Sequence, residues 1–342
     1  MSGKTFAFLK YIYYFCPVNE FEINIYTKSK DLPTLLEGDF FHSQELFCIA
    51  ENVSGNTPYM AVAKDGKGVV VGQILVIVFR KSSLFPPYIY THARVYGPGI
   101  YPNGELERKV FPFLLHAITQ HLNRKLCLSI EFSDLPKKMY GYRSFRKEGF
   151  IPLPQQEIHN SLHSMTPEER VNDKMLARIE KLQAKGVETH IAEKEEDIRD
   201  FHRLLKNYFR LKIRRDIPSL DFLRQLQNNK SGKVFLTTYK NKVIGGCSCI
   251  FTKGNAYLWH LASKRKTYAF LSPELITTWA AIKYAHAHHY DHIYFMNVGF
   301  PWKKNPKREF FLSFGGKPVT KNRWFRFRSK IVNSIVNWLY KE

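Results

Sequence analysis

Tyr59-Met-Ala-Val-Ala-Lys-Asp-Gly-Lys-Gly-Val-Val-Val-Gly-Gln-Ile-Leu-Val-Ile-Val-Phe79 has the pattern of a β-hairpin that turns at Asp-Gly. The chain repeats this pattern later as Lys233-Val-Phe-Leu-Thr-Thr-Tyr-Lys-Asn-Lys-Val-Ile-Gly-Gly-Cys-Ser-Cys-Ile-Phe251. Equivalent positions lie 173, 167 and 166 residues apart: Gly72 and Gly245, Lys125 and His292, and Gly149 and Gly315. Offsets this steady predict a duplicated domain.

The segments after each hairpin also correspond. We expect apolar helices over 106–122 and 273–289, each followed by a strand, over 125–132 and 292–298. The length of 342 residues suits two domains. We therefore predict a mixed α/β fold whose two domains, 18–160 and 161–330, each contain a mostly antiparallel sheet flanked by helices.

A charged helix is predicted to link the two domains over about 167–185. Thr166 is a good N-cap, Pro167 suits the first helical position, and Glu169 can complete a capping box. Gly186 provides the stop.

Composition limits the class of protein. Apolar residues make up 44% of the chain, and no run of about 18 apolar residues could span a bilayer. The apolar N-terminal segment 6–17 lacks the charge pattern and cleavage site of a signal peptide. The five cysteines are odd in number and lie mostly in apolar strands, which is typical of reduced thiols. These features predict a cytoplasmic protein.

The net charge is strongly positive. The sequence has 52 Lys and Arg against 30 Asp and Glu, a formal charge of +22. Such an excess favours polyanionic partners, namely nucleic acid, acidic membrane, pyrophosphate-bearing metabolites or an acidic carrier protein. A generally basic proteome is the alternative explanation.

Residues 331–342 form a basic and apolar C-terminal tail. Positions 331, 332, 335, 336, 338 and 339 would share one broad helical face, and arginines precede them. Two interpretations stay open: a final strand and helix that pack on the second domain, or peripheral contact with the inner face of a membrane.

The order of elements resembles the GNAT acyltransferase fold, and two such units in tandem resemble the FemABX-like transferases, which build peptidoglycan interpeptide bridges. The likeness covers roughly residues 20–330. The stretches that carry it are Val95-Tyr-Gly-Pro-Gly-Ile100, Tyr142-Arg-Ser-Phe-Arg-Lys-Glu-Gly-Phe150, Arg178-Ile-Glu-Lys-Leu-Gln-Ala-Lys-Gly-Val187, Tyr257-Leu-Trp-His-Leu-Ala-Ser263, Leu271-Ser-Pro-Glu-Leu-Ile-Thr-Thr-Trp279 and Arg308-Glu-Phe-Phe-Leu-Ser-Phe-Gly-Gly316.

The resemblance implies transfer of an acyl or aminoacyl group to an amine, with a cell-envelope precursor as the acceptor. The family usually has Phe-Lys before the spaced Phe-Gly, whereas this chain has Phe310-Phe311. Lys307 and Arg308 are near enough to replace that lysine in binding substrate. Aminoacyl-tRNA is one expected donor. Acyl-CoA or an acyl carrier protein is the other, and the missing lysine favours it.

The resemblance implies that the donor lies against the loop 263–274. Lys264, Arg265 and Lys266 precede a helix that begins with Ser272 as N-cap, and a helix N-terminus is a natural anion site. A solvated basic loop is the alternative. Arg94-Val-Tyr-Gly-Pro-Gly99 resembles the coenzyme A pyrophosphate motif of GNAT enzymes, but Pro98 removes one N–H donor, which favours a structural turn.

For the acceptor, the resemblance implies a cleft between the domains. His260 is the candidate general base, because an unperturbed histidine titrates near neutrality, and Tyr257 lies on the same predicted strand. The candidate substrate-binding residues are Tyr208, Arg210, Lys212 and Asn297. A buried, hydrogen-bonded histidine is the alternative for His260.

No metal is expected. The histidine-rich segment 286–292 falls where a helix gives way to a strand, so its side chains would not share a helical face. A non-catalytic protein that binds anionic lipid or nucleic acid remains the competing functional class.

Overall fold

A computed structural model describes residues 20–82, 89–133, 141–210, 217–264 and 266–340. The apolar segment 6–17 lies outside these ranges. The chain divides into two compact units, Met1–Leu153 with Arg323–Glu342, and Pro154–Asn322.

The first half of the chain contains five strands and three helices within the described residues. They are β1 (Glu22–Tyr26), α1 (Gln44–Glu51), β2 (Asn56–Lys64), β3 (Val70–Ser82), β4 (Ile89–Tyr96), α2 (Gly104–Arg124), β5 (Ser129–Ser133) and α3 (Tyr142–Lys147). Asn103 caps α2, since its side chain accepts a hydrogen bond from the Leu106 N–H.

The second half adds the remaining elements. They are β6 (Ile151–Ser161), α4 (Pro167–Arg170), α5 (Asp173–Ala184), β7 (Val187–Ile191), α6 (Glu195–Phe209), α7 (Leu220–Gln227), β8 (Gly232–Tyr239), β9 (Lys242–Thr252), β10 (Asn255–Ser263), α8 (Pro273–Ala287), β11 (His292–Phe295), α9 (Pro306–Leu312), β12 (Lys317–Phe327) and α10 (Lys330–Leu339).

The two units share one strand topology. In the first, β1 to β4 are antiparallel neighbours, β4 is parallel to β5, and residues 323–327 of β12 pair antiparallel with β5. In the second, β7 to β10 are antiparallel neighbours, β10 is parallel to β11, and β6 pairs antiparallel with β11. The predicted class, a duplicated mixed and mostly antiparallel sheet with flanking helices, is confirmed.

The last strand of each sheet comes from the other half of the sequence. β6 follows α3 in the chain but pairs in the second unit, and β12 follows α9 but carries Arg323–Phe327 into the first unit. The predicted final strand and helix do form. They do not belong to the second domain, because residues from Arg323 onward, including α10, cluster with the first unit.

Each unit buries a helix against its central strands, and a repeated glycine permits the close approach. A Cβ on Gly72 of β3 would lie 2.7 Å from the ring of Tyr101 and 3.0 Å from Val110 of α2. A Cβ on Gly245 of β9 would lie 2.6 Å from Thr277 Oγ1 of α8. Because all three distances are shorter than normal van der Waals contact, only glycine fits these positions without rearrangement.

The predicted linking helix over 167–185 is two helices. The Thr166 and Glu169 capping box begins α4, as expected, but Val171 is extended and ends it. The side chain of Asn172 then accepts a hydrogen bond from the Met175 N–H and starts α5. A second N-cap inside the charged segment therefore divides it.

Candidate active site

The parallel strand pair of the second unit separates part-way along its length. The β10 and β11 ladder covers Asn255–Leu258 against His292–Phe295. β11 then ends, whereas β10 continues to Ser263 with β9 as its partner. A gap therefore opens beside β10 after Leu258, in the middle of the sheet.

A β-bulge at Trp259 marks the start of this gap. Leu258 pairs with Cys249 and His260 pairs with Ser248, so Trp259 is the extra residue. Because the bulge shifts the alternation by one residue, His260 joins Tyr257 on one face of the strand. Leu258 packs in the core with α8, on the opposite face.

His260 is held in place by hydrogen bonding and stacking. Its Nδ1 lies 2.8 Å from Ser248 Oγ, and its ring stacks on Trp259 with centroids 5.2 Å apart. The ring is half-buried. The bond to Ser248 fixes the ring orientation.

The face of β10 that carries Tyr257 and His260 continues across β11 and β6 with three further polar side chains. These are Tyr294 of β11 and His159 and Glu157 of β6. The ring of Tyr294 lies 5.2 Å from that of Tyr257 and 4.5 Å from that of His159. His159 Nε2 is 3.3 Å from the Glu157 carboxylate. Burial and, secondly, the charge of Glu157 raise the pKa of Tyr294 to about 12. Tyr294 is thus a hydrogen-bond donor at neutral pH.

Sequence reasoning missed Glu157, His159 and Tyr294. Residues 155–161 are polar except for Ile158, so no alternation in the sequence marks one polar face. Their pairing with Tyr257 depends on β6 lying beside β11, which no local pattern indicates.

A carboxylate lies at the N-terminus of α8, beside the end of β10. Glu274 Oε1 accepts hydrogen bonds from Tyr208 O–H at 3.1 Å and from Ser263 O–H at 2.9 Å. An acid in the first helical turn is stabilised by the helix dipole. This network joins the predicted residue Tyr208 to the helix start that was predicted to bind the donor.

The predicted donor-binding residues lie around the same helix start. Lys264 and Lys266 are exposed, and Arg265 lies outside the described residues. Ser272 is the N-cap residue but has a positive φ of 42° and makes no side-chain cap bond. Its hydroxyl instead accepts a hydrogen bond from Arg178 Nη2 at 2.5 Å. The loop therefore presents cations, and Arg178 of α5 adds one more.

Two of the predicted substrate-binding cations have structural contacts. Arg308 Nη1 donates to Gln156 Oε1 at 2.6 Å and to the Phe300 carbonyl at 3.1 Å, and its Nη2 donates to the Lys303 carbonyl. Arg308 thus ties α9 to the loop that follows β11. The ammonium group of Lys307 lies 5.4 Å from the ring centroid of Phe311.

The remaining residues considered in the sequence analysis are Phe311, Asn297, Arg210 and Lys212. Phe311, at the position of the family lysine, is fully buried and stacks on Phe295 at 4.3 Å. Asn297 follows β11 with a positive φ of 57°. Arg210 is exposed at the end of α6, and Lys212 lies outside the described residues.

Within the described residues, the parallel pair of the first unit stays paired to the end of both strands. The β4 and β5 ladder runs from His92 and Ser129 to Tyr96 and Ser133, the last residues of both strands. Beyond it, the Gly97 N–H donates to the Ser133 carbonyl at 2.7 Å. Within the segment 94–99, Arg94–Tyr96 are therefore the last residues of β4, and Gly97 begins a bend that is hydrogen-bonded to β5.

Within the described ranges, no three His, Cys, Asp or Glu side chains group as metal ligands would.

A family model described as "Acetyltransferase (GNAT) domain" matches residues 170–304. This segment contains the bulged β10, the gap and α8. The match supports the predicted acyltransferase class. No curated protein sequence matches the chain significantly.

Solved structures share the tandem GNAT arrangement over most of the chain. A crystal structure of FemX is 12% identical, with a TM-score of 0.60, over 92% of this chain and 96% of that one. L-PGS from Bacillus licheniformis is 10% identical, with a TM-score of 0.56, over 87% and 92%. A tandem GNAT protein from the clavulanic acid biosynthesis pathway is 13% identical, with a TM-score of 0.54, over 84% and 88%. At these identities the likeness shows the fold, which is a FemABX-like tandem GNAT fold.

Proposed function

We propose that the chain is an N-acyltransferase whose donor carbonyl sits in the gap between β10 and β11 of the second unit. The observation that carries the proposal is the contrast between the units. The second ladder ends at Leu258 beside a bulge and polar side chains, whereas the first ladder stays paired to its end. An acyl group needs such an opening to reach the middle of a sheet.

In the proposed reaction an acceptor amine attacks the donor carbonyl carbon. His260 takes the proton from the amine as the C–N bond forms. Oxyanion charge develops on the carbonyl oxygen, and we infer that backbone N–H groups at the Trp259 bulge stabilise it. The bond from carbon to the ester oxygen or thioester sulfur then breaks, and the leaving group accepts the proton that His260 took from the amine. Tyr294 and Tyr257 line the face on which the acceptor would lie.

The basic loop before α8 supports a polyanionic donor. Lys264 and Lys266 are exposed next to a helix N-terminus, which suits phosphate groups. Acyl-CoA, an acyl carrier protein and aminoacyl-tRNA all carry such groups. The burial of Phe311 at the family lysine position favours acyl-CoA or an acyl carrier protein slightly over aminoacyl-tRNA.

A cell-envelope precursor bearing a free amine is the proposed acceptor, and the cytoplasm, at the inner face of the membrane, is the proposed location. Both follow from the resemblance to the FemABX-like transferases. The +22 charge supports contact with anionic surfaces.

Three parallel donor assays test the proposal. The full chain is incubated separately with acyl-CoA, acyl carrier protein thioester and aminoacyl-tRNA, each with an amine-containing envelope precursor pool, and loss of the thioester or ester is followed. We expect amide formation with one donor class. Binding of the donors without transfer to any acceptor would instead favour the non-catalytic alternative.

A matched pair of variants ties activity to the gap. Lys264→Gln with Lys266→Gln removes two exposed cations and should raise the KM for the donor with little change in kcat, because binding is lost equally in ground and transition states. Lys67→Gln in the turn after β2 removes an exposed cation of the first unit and should leave both constants unchanged.

A further inference from the structure

The C-terminal helix α10 exposes its apolar side chains to solvent. Ile331, Trp338 and Leu339 are 73%, 74% and 61% exposed, and Val332 and Ile335 are also exposed. At 100° per residue these side chains fall on one side of the helix. A contiguous apolar surface of this kind marks an interaction site.

The polar side of the same helix faces the protein. The Asn333 side chain donates to the Gly149 carbonyl at 2.9 Å and accepts from the Phe327 N–H at 3.0 Å. Asn337 Oδ1 accepts from Arg146 Nη1 at 3.2 Å. Asn333 and Asn337 lie one turn apart and opposite Ile335. The fold therefore holds α10 by hydrogen bonds with its apolar face outward.

Exposed cations lie next to α10 in the sequence and on the helix that contacts it. Arg328 and Lys330 are exposed at the start of α10, and Arg143 and Lys147 are exposed on α3, the helix that Arg146 connects to α10. The sequence from 317 to 341 contains seven Lys and Arg and no Asp or Glu. A protein partner's interface core is depleted in charge, whereas a lipid surface offers phosphates around an apolar interior.

We propose that α10 lies in the plane of an anionic lipid bilayer surface, with its apolar side chains among the acyl chains and the flanking cations against lipid phosphates. Trp338 and Tyr340 suit the boundary between headgroups and acyl chains. Across the described residues, none of the helices is long and apolar enough to cross a bilayer. The contact is therefore interfacial, and it does not depend on the acyl-transfer reaction.

Co-sedimentation of the full chain with vesicles tests this inference without any substrate. We expect binding to vesicles of phosphatidylcholine with phosphatidylglycerol, weaker binding to phosphatidylcholine alone, and weakening with salt. Ile335→Asn with Trp338→Ser should lower the partition coefficient by about tenfold or more, because two exposed apolar anchors are lost. Arg328→Gln with Lys330→Gln should reduce the preference for phosphatidylglycerol.

Val69→Asn is the matched control, since it removes another exposed apolar side chain, 58% accessible, in the turn between β2 and β3. It should bind vesicles like the unchanged chain. Three outcomes overturn the inference: no binding of the unchanged chain to either vesicle, equal binding by the Ile335 and Trp338 double variant, or a dimer in solution that this double variant abolishes. The last result would mean that a second copy covers the face.

Discussion

Gly245→Ala perturbs the contact that sets the position of α8 beside the proposed active site. The added Cβ would lie 2.6 Å from Thr277 Oγ1 and 3.2 Å from Pro273. Thr277 Oγ1 donates to the Pro273 carbonyl at 2.7 Å and lies 2.6 Å from Thr237 Oγ1. Alanine must therefore push α8 away from β9 or turn the Thr277 hydroxyl out of both hydrogen bonds.

The expected decrease in the free energy of unfolding has two sources, overpacking and weakened hydrogen bonds. Overpacking a well-packed contact costs roughly 1–3 kcal/mol. Two weakened buried hydrogen bonds add about 0.5–1.5 kcal/mol each if the hydroxyl turns away. Because the two responses are alternatives in part, we expect the free energy of unfolding to fall by about 2–4 kcal/mol. Displacement of α8 would also move Glu274 away from Tyr208 and Ser263, so acyl transfer should fall as well.

A double-mutant cycle measured by urea unfolding checks the cause. Thr277→Ala removes the clashing oxygen, while the Thr237 hydroxyl keeps its partner Thr189 at 2.8 Å. The combined Gly245→Ala and Thr277→Ala variant should therefore recover more than 1 kcal/mol relative to additivity, an estimate in the range of couplings between residues in contact. Gly66→Ala is the control, because a Cβ there meets no atom within 4 Å.

Two results would refute this reasoning. If Gly245→Ala lowers stability no more than Gly66→Ala, the close approach of α8 to β9 is wrong. If the two substitutions at Gly245 and Thr277 are additive, the oxygen of Thr277 is not what the new methyl group meets.

Three further predictions concern single side chains. Burial lowers the pKa of His121 to about 4, so its neutral form stabilises the fold above pH 6.5. As the pH falls towards 4, the free energy of unfolding should fall by on the order of 2–3 kcal/mol. His121→Leu should make the free energy of unfolding depend less on pH between pH 7 and 4.5, and an unchanged pH dependence would contradict this. Arg308→Gln breaks the hydrogen bonds to Gln156 and the Phe300 carbonyl. We expect the free energy of unfolding, measured with heat or urea, to fall by about 1.5–3 kcal/mol. A decrease below about 0.5 kcal/mol would show that other contacts hold the loop after β11. Asn333→Ala should change the free energy of global unfolding by no more than about 1 kcal/mol but should speed the hydrogen exchange of the α10 amides. Exchange at the original rate would mean that Asn333 does not hold the helix.

Local patterns were sufficient to predict the hairpins, the long helices and the duplication. The hairpin around Asp65 and the helices α2 and α8 depend on turn residues, caps and apolar periodicity, all of which are encoded within a few residues. Gly72 and Gly245, which are equivalent in the sequence repeat, both lie at close contacts in the structure. Tyr257 and His260 were correctly placed on one strand.

The remaining features depend on contacts that are distant in sequence. The placement of β6 beside β11 and of Arg323–Phe327 beside β5 follows from the competition of strands for sheet edges, which single-strand patterns do not reveal. The bulge at Trp259 changes which residues share a face, and a strict alternation misses it. Glu157 and His159 were missed for the first of these reasons.

Single-turnover acyl transfer by a His260→Gln variant tests the central claim most directly. With a saturating donor identified in the three donor assays, we expect the transfer rate to fall by roughly 10²–10⁴, with donor affinity and unfolding unchanged. His116→Gln, an exposed histidine of the first unit, should transfer at the original rate. Equal rates for the His260 variant and the unchanged chain would contradict a reaction centre beside β10.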